Sequence, residues 1–336
     1  MPDPSNTAAC SVCVDMGTTN TRVWLVRGTE VLARAQAGVG VRDTARDGSP
    51  TRIRAALRDL ILEVRKLGRS AGHTAEPSYV AAAGMITSPL GLTEVPHVSA
   101  PAGAAELSGA TRPHSFPEVS ELPFMMAPGV RCGPRTGTLE TISQIDVMRG
   151  EETLAVGLTA ENIVKPPATL LNLGSHWKAI RIDELGRIES SVTSISGELI
   201  HATQTQTILA SAVPHERPAQ IDLQWCEAGI NEQRRSGLAR ALFCVRLLEM
   251  NSNSTAEQRL SFLAGVFIAA DLDPLIARGM FVAGRSVLIA GGGAIAEAWQ
   301  HALQAINVPS TRLADSEIER ALLAGLRTIL ELAHKK

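Results

Sequence analysis

With 336 residues, 45% of them hydrophobic and 20% charged, the chain can bury two sizeable cores and has the composition of a soluble globular protein. A net charge of −2 removes the electrostatic case for nucleic acid, and 3% aromatics supplies no stacking platform for single strands. No apolar run reads as long as a membrane span, no basic n-region with an apolar h-region opens the chain, and five cysteines point to reduced thiols in a cytoplasmic setting.

Residues 1–9 are polar and expected to fray. The stretch 12–26 then runs β-branched into Asp15, turns through Gly17, Thr18, Thr19 and Asn20, and re-enters an apolar run with Val23, Trp24, Leu25 and Val26. That is two antiparallel strands about a polar turn. Walker and dinucleotide loops lead from strand into helix, so they are excluded here. Asp15 could hold a hydrated Mg²⁺ through one carboxylate. Gly17 lets backbone approach a ligand closely, and the hydroxyls, amide and N–H groups of Thr18, Thr19 and Asn20 suit phosphate oxygens. An ordinary hairpin tip uses the same residue types, so both readings stand at this point. Cys10 and Cys13 have C-x-x-C spacing without a second pair, and read as core and near-surface thiols.

Residues 30–37 read as a third strand and 38–50 as a Gly- and Asp-rich loop. Ile53, Leu57, Leu60, Ile61 and Val64 give 51–67 the spacing of an amphipathic helix, which Gly68 is expected to stop. A strand over 79–83 leads into a loop at 84–91. Prolines at 96, 101, 113, 117, 123, 128 and 134 exclude long helices from 93–139. This is read as an irregular lobe with short strands such as 124–126, either carrying substrate contacts or merely covering. Residues 146–155 read as the start of a helix that continues to about Ala160, and Lys165-Pro166-Pro167 as a linker.

Beyond the linker the opening pattern recurs: a strand at 169–173, a turn at Gly174-Ser175-His176, a strand at 177–183, a turn, and a strand at 188–195. A duplicated three-strand unit with helices is implied. After Leu199 the chain reads as mostly helical, with helices at 236–250 and 255–271, the second capped by Ser254 or Thr255 with Glu257 in its first turn. A short buried strand at 286–290 ends in Gly291-Gly292-Gly293, followed by helices at 294–306 and 315–334. The last is read as a core helix that packs on the first domain.

Taken in this order, the polar turns at 15–20, 146–152, 174–176 and 291–293 resemble the α/β, two-domain actin-like ATPase (ribonuclease H-like) fold of sugar kinases and heat-shock ATPases. The resemblance implies that the first turn and its counterpart face each other across a nucleotide cleft and hold phosphates, and that Gly291, Gly292 and Gly293 hold adenosine. Asp146-Val147-Met148-Arg149-Gly150-Glu151-Glu152-Thr153, with the 15–22 segment and Ser196-Gly197-Glu198-Leu199, is more narrowly similar to the 2-dehydro-3-deoxygalactonokinase family over roughly residues 12–330. That family uses ATP to phosphorylate the 6-hydroxyl of a C6 2-keto-3-deoxy sugar acid in galactonate breakdown. The implied domains are 8–165, with a Pro-rich substrate lobe at about 84–140 and completed by helix 315–334, and 166–314 with the adenosine site. This chain has Ser88-Pro89 where the family usually has Asn, and Gly174-Ser175-His176-Trp177-Lys178 where it usually has Gly-Thr-His followed by Lys and Trp.

The chemistry then assigns roles. Phosphoryl transfer needs an acid to accept the hydroxyl proton, and Asp146, read as preceding a helix, is the candidate base; a plain helix N-cap is the alternative. Arg149 has the fork to clamp a carboxylate or the moving phosphoryl group, unless Glu151 or Glu152 pairs with it. Arg22, Arg149 and Glu151 are the substrate candidates, Asp15 the metal ligand, and Gly174, Ser175 and His176 the second phosphate turn. Glu198 has no role beyond the family pattern, and a helix-start carboxylate explains it nearly as well. ATP and Mg²⁺ are the expected cofactors. The expected partners are a small sugar acid and at most a second copy in a homodimer, with no nucleic acid and no membrane. The nearer alternative is a kinase for another sugar or sugar acid, and the rival from another class is a non-catalytic, actin-like nucleotide switch.

Overall fold

The computed structural model describes residues 10–282 and 285–334, so the reading of residues 1–9 lies outside the described residues. The chain divides into two compact units. The first runs to Pro166 and adds Asp183–Ser190 and everything from Glu319; the second is Pro167–Ile182 with Ser191–Ile318.

In the first unit, β1 (Cys10–Met16), β2 (Thr21–Arg27) and β3 (Glu30–Ala37) form a meander, followed by α1 (Val41–Asp47), α2 (Thr51–Ser70) and β4 (Pro77–Gly84). Next come β5 (Val98–Ser99), α3 (Ala104–Ala110), β6 (Arg112–Phe116), β7 (Ser120–Met126), β8 (Val130–Cys132), β9 (Asp146–Met148) and α4 (Glu151–Ala160). The six-stranded sheet has the order β3-β2-β1-β4-β7-β6, with β1 antiparallel to β2 and parallel to β4. All seven residues of β1 are buried, as a strand covered on both faces requires.

The second unit repeats this plan. β10 (Ala168–Leu173), β11 (Trp177–Ile182) and β12 (Ile188–Ser194) are followed by α5 (Ser196–Gln206), α6 (Leu223–Ser236), α7 (Leu238–Asn251) and α8 (Ala256–Ala277). Then come β13 (Ser286–Gly291), α9 (Ala294–Ala305) and β14 (Ser310–Arg312), while the long α10 (Asp315–His334) belongs to the first unit from Glu319 onward. The strand order β12-β11-β10-β13-β14 again sets a first strand between its antiparallel hairpin partner and a parallel neighbour. Trp177 and Trp299 meet edge to face inside this core, 5.6 Å between centroids.

Several expectations are corrected. Residues 41–47 form a short helix rather than loop, because Asp43 folds back to accept the Gly40 N–H at 3.0 Å and Val41 and Thr44 are buried. Gly68 does not stop its helix: α2 continues to Ser70, and Gly68 lies buried against the end of the Leu25 side chain, 2.5 Å from where a Cβ would stand. The β6–β7 hairpin is the edge of the main sheet rather than part of an irregular lobe. Asp146 stands in β9 opposite Cys132, and the helix begins only at Glu151, so Asp146 is not a helix N-cap and has no helix start to place it. The turn is made at Gly150, whose φ of +110° suits glycine.

One further correction concerns α8. It is long and apolar enough to cross a membrane, against the sequence reading, but 67% of its most apolar window is buried within the protein. Thr255 and Gln258 cap it reciprocally, and it is a core helix of the second unit.

Paired glycines let helices cross backbone to backbone in each unit. A Cβ on Gly157 would collide with the Ala321 carbonyl and one on Gly325 with the Thr153 carbonyl; in the second unit Gly229 and Gly265 relate α6 and α8 in the same way. Replacing a mid-helix glycine by alanine normally gains about 0.5–1 kcal/mol. At Gly157 or Gly325 the collision outweighs that gain, and Gly157→Ala is expected to lose about 1–3 kcal/mol in chemical denaturation; a gain would contradict the crossing.

Glu319 ties α10 to the meander, accepting from Arg34 Nη2 at 2.7 Å and Trp24 Nε1 at 3.0 Å. Arg34, with help from Trp24, holds its carboxyl below the ordinary glutamate value despite some burial. A lowered folded value stabilises above the unfolded value and is lost as pH falls through the folded one. The stability gap between wild type and Glu319→Gln should therefore be full above about pH 5 and close on acidification; a gap that widens in acid would refute the linkage.

Candidate active site

In the first unit three chain segments meet at the carboxyl end of β1. Asp15, 9% exposed, is the last acid of a fully buried strand. Its Oδ2 accepts from Arg22 Nη2 at 2.6 Å across the β1–β2 pair. Arg22 also lies 5.8 Å from the Trp24 ring centroid. On the other side, Oδ1 lies 3.1 Å from where a Gly84 Cβ would stand and 3.7 Å from that of Gly150. Gly84, at φ +86°, and Gly150 end β4 and open α4, so two missing side chains leave space beside that oxygen.

The adjoining turn is held tightly. Gly17 N–H donates to the Asn20 carbonyl at 2.8 Å, and the Gly17 and Thr18 carbonyls accept from Val41 and Arg42 N–H at 3.3 and 2.9 Å. Asn20 Nδ2 donates to Thr19 Oγ1 at 2.9 Å.

Arg149 reaches away from the acids suspected of pairing with it. Its Nη1 donates to Thr87 Oγ1 at 2.8 Å and Nη2 to the Val95 carbonyl at 2.9 Å, with His97 Nδ1 3.4 Å from the same Nη2. Burial pushes its pKa down while Glu152 and Glu94 push it up, and a guanidinium remains charged throughout. Glu151 accepts the Arg149 backbone N–H at 3.2 Å. Glu152 is 0% exposed and takes the Gly150 N–H on both carboxylate oxygens at 2.8 Å.

In the second unit the Gly174-Ser175-His176 turn ends β10, with Gly174 N–H 3.3 Å from the His176 carbonyl. His176 Nε2 lies 3.4 Å from Glu198 Oε1, which gives Glu198 a partner that the sequence did not supply. The carboxyl end of β13 carries Gly291, Gly292 and Gly293 at φ +74°, +85° and +52°. Gly292 is packed on Leu173, while the Cβ position of Gly293 is open.

Thr87, His97, Gly40 and Asp271 were not singled out from sequence, and Glu152, named there as a possible partner of Arg149, instead accepts the Gly150 N–H. Among the described residues no three His, Cys, Asp or Glu side chains cluster as a metal cage. Cys10 and Cys13 are buried in β1, and burial raises both thiols, Cys13 to about 12.

Comparison with known proteins decides the family. The sequence model of 2-keto-3-deoxy-galactonokinase matches residues 15–329. The chain belongs to this family. It is therefore a phosphotransferase by family. The 2-dehydro-3-deoxygalactonokinase of Escherichia coli (strain K12) is 26% identical over 320 residues, 95% of this chain and 96% of that protein. Among solved structures, a candidate 2-dehydro-3-deoxygalactonokinase from Sinorhizobium meliloti is similar at 22% identity and a TM-score of 0.74, over 95% of each chain. An activator of 2-hydroxyisocaproyl-CoA dehydratase from Clostridium difficile, with bound ADPNP, aligns over 96% of each chain at 14% identity and a TM-score of 0.51. Family and architecture together are those of an actin-like kinase.

Four of the five cysteines are buried, and Cys244 alone is partly exposed. Native protein treated with a thiol reagent at neutral pH is expected to label at Cys244 first, and all five only after unfolding. Rapid labelling of Cys10 or Cys13 would contradict their place in the core.

Proposed function

We propose that the protein is an ATP- and Mg²⁺-dependent kinase acting on the 6-hydroxyl of 2-dehydro-3-deoxy-D-galactonate, in the cytoplasm, as a step of galactonate catabolism. The observation that carries this reading is the family match over almost the whole chain, from Asp15 onward, on a fold whose two first hairpins both end in small polar turns.

The residues present fit the cofactors. A hard cation that keeps most of its waters needs one carboxylate rather than a cage. Asp15 offers Oδ1 into the space left by Gly84 and Gly150 while Arg22 steadies Oδ2. Bound there, Mg²⁺ would neutralise charge developing on the transferred phosphoryl group. Gly17, Thr18, Thr19 and Asn20 in the first unit, and Gly174, Ser175 and His176 in the second, would hold phosphate oxygens. Gly291, Gly292 and Gly293 would lie under the adenosine, Gly293 supplying the open approach.

Asp146 is the proposed base, accepting the hydroxyl proton as the acceptor oxygen attacks. Its placement comes from β9 pairing rather than from a helix start. Arg149, pinned by Thr87 and Val95, acts as a fixed positive charge for the substrate carboxylate rather than a swinging clamp. Arg22 and Glu151 complete the acceptor side, Arg22 being shared with Asp15. The domains at 8–165 with helix 315–334, and 166–314, carry the acceptor and adenosine roles respectively.

Purified protein with Mg²⁺ and ATP should release ADP with 2-keto-3-deoxygalactonate and not with hexoses, and chelation should abolish release until Mg²⁺ is restored. Release with a neutral hexose alone would discard the named substrate. Silence with all acceptors, alongside measurable ATP binding, would favour a nucleotide switch. Asp15→Ala and Asp146→Ala should each lower kcat by roughly 10²–10⁴-fold with the melting temperature unchanged; full activity in Asp146→Ala would remove it as the base.

A further inference from the structure

A hairpin turn binds phosphate through backbone N–H groups only if its peptide planes are fixed. In a trans peptide the C=O and the following N–H point in opposite directions, so holding a carbonyl on one side aims an N–H to the other. In the first unit the Gly17 and Thr18 carbonyls point at the start of α1, where Val41 and Arg42 N–H receive them. The N–H groups of Thr18 and Thr19 are thereby directed to the opposite side.

That approach is possible only because residue 40 lacks a side chain. A Cβ on Gly40 would stand 2.5 Å from the Thr18 carbonyl carbon and oxygen and 2.6 Å from the Gly17 oxygen. The backbone at Gly40 is extended, at φ −155°, so conformational freedom is not what glycine supplies here; space is.

The second unit has the same close approach on a different sequence, though among the described residues no backbone hydrogen bond runs from α5 to these carbonyls. Gly197, at the start of α5, would place a Cβ 2.5 Å from both the Gly174 and Ser175 carbonyl oxygens and 3.0 Å from the Ser175 carbonyl carbon. These carbonyls therefore face α5, and the N–H groups of Ser175 and His176 face away. The start of α5 is anchored in turn. Ser194 and Ser196 hydroxyls both donate to the Asp271 carboxylate, Ser196 at 3.0 Å. Each glycine follows the third strand of its unit and backs the turn after the first. The close approach arises in Val39-Gly40-Val41 and again in Ser196-Gly197-Glu198.

We propose that Gly40 and Gly197 are positioning residues for the two phosphate turns, each aiming two consecutive N–H groups at ATP by letting the following helix start pack directly against the turn's carbonyls. Asp271, through Ser194 and Ser196, sets the helix start in the second unit. The proposal rests on the reading that these turns take phosphate.

The test compares Gly40→Ala, Gly197→Ala and Ser196→Ala with wild type, using Gly38→Ala, whose Cβ would meet nothing within 4 Å, as control. Melting temperature, affinity for Mg²⁺ with a non-hydrolysable ATP analogue, and KM for each substrate are measured. Gly40→Ala and Gly197→Ala are expected to lose at least tenfold in nucleotide affinity and to raise KM for ATP, with KM for the sugar acid within twofold. Ser196→Ala, which removes a donor without adding volume, is expected to lose about threefold or more on the nucleotide side alone and covers failure of a glycine variant to fold. Gly38→Ala should match wild type. Folded variants that bind nucleotide within twofold of wild type would overturn the proposal while leaving the kinase reading intact. So would equal losses for both substrates. Wild-type protein that binds no nucleotide would overturn the phosphate reading and this proposal with it.

Discussion

A strand buried on both faces has nowhere to place a charged side chain except at its end, and the organisation of each unit follows from that constraint. β1 is buried from Cys10 to Met16, and its one acid stands at the carboxyl end beside Gly84 of its parallel neighbour. β10 likewise ends in Leu173 before Gly174-Ser175-His176, and its parallel partner β13 ends in Gly291. The Asp15 carboxylate and the small polar turns thus stand at one edge of each sheet, the edge where open α/β sheets take ligands. Asp15 bears the charge cost of this placement, and Arg22 offsets it across the hairpin.

What was legible in the sequence was whatever rests on local pattern. The meander, the repeat beginning near 168 and the final helix all follow from periodicity and turn residues, and the structure has them. The misreadings share a different cause. Gly68 looked like a stop signal but is a contact with Leu25, and 41–47 looked like loop but is held helical by Asp43 and by burial of Val41. The β6–β7 hairpin is Pro-containing, as an edge may be, and so read as irregular. In each case tertiary contact decides a residue whose local meaning is ambiguous.

The site shows the same division. Asp15, the first turn and the Gly-rich turn were visible as motifs. The roles of their neighbours were not, because they depend on which carbonyl or carboxylate lies opposite. Arg149 reads in sequence as a partner of Glu151 or Glu152, yet Thr87 and Val95, more than fifty residues away, take its guanidinium. Gly40 is an ordinary glycine in sequence and Gly197 only part of a family pattern, and the role of each emerges through what a side chain there would strike.

A family match at 26% identity to a characterised name leaves the position of phosphorylation as the claim that matters most. The most direct measurement is phosphorus–carbon correlated NMR of the product made from ATP and 2-dehydro-3-deoxy-D-galactonate. The expected result is one phosphomonoester whose phosphorus couples to C6 and its protons. Coupling to another carbon, or inorganic phosphate as the sole new phosphorus signal, would contradict the assignment.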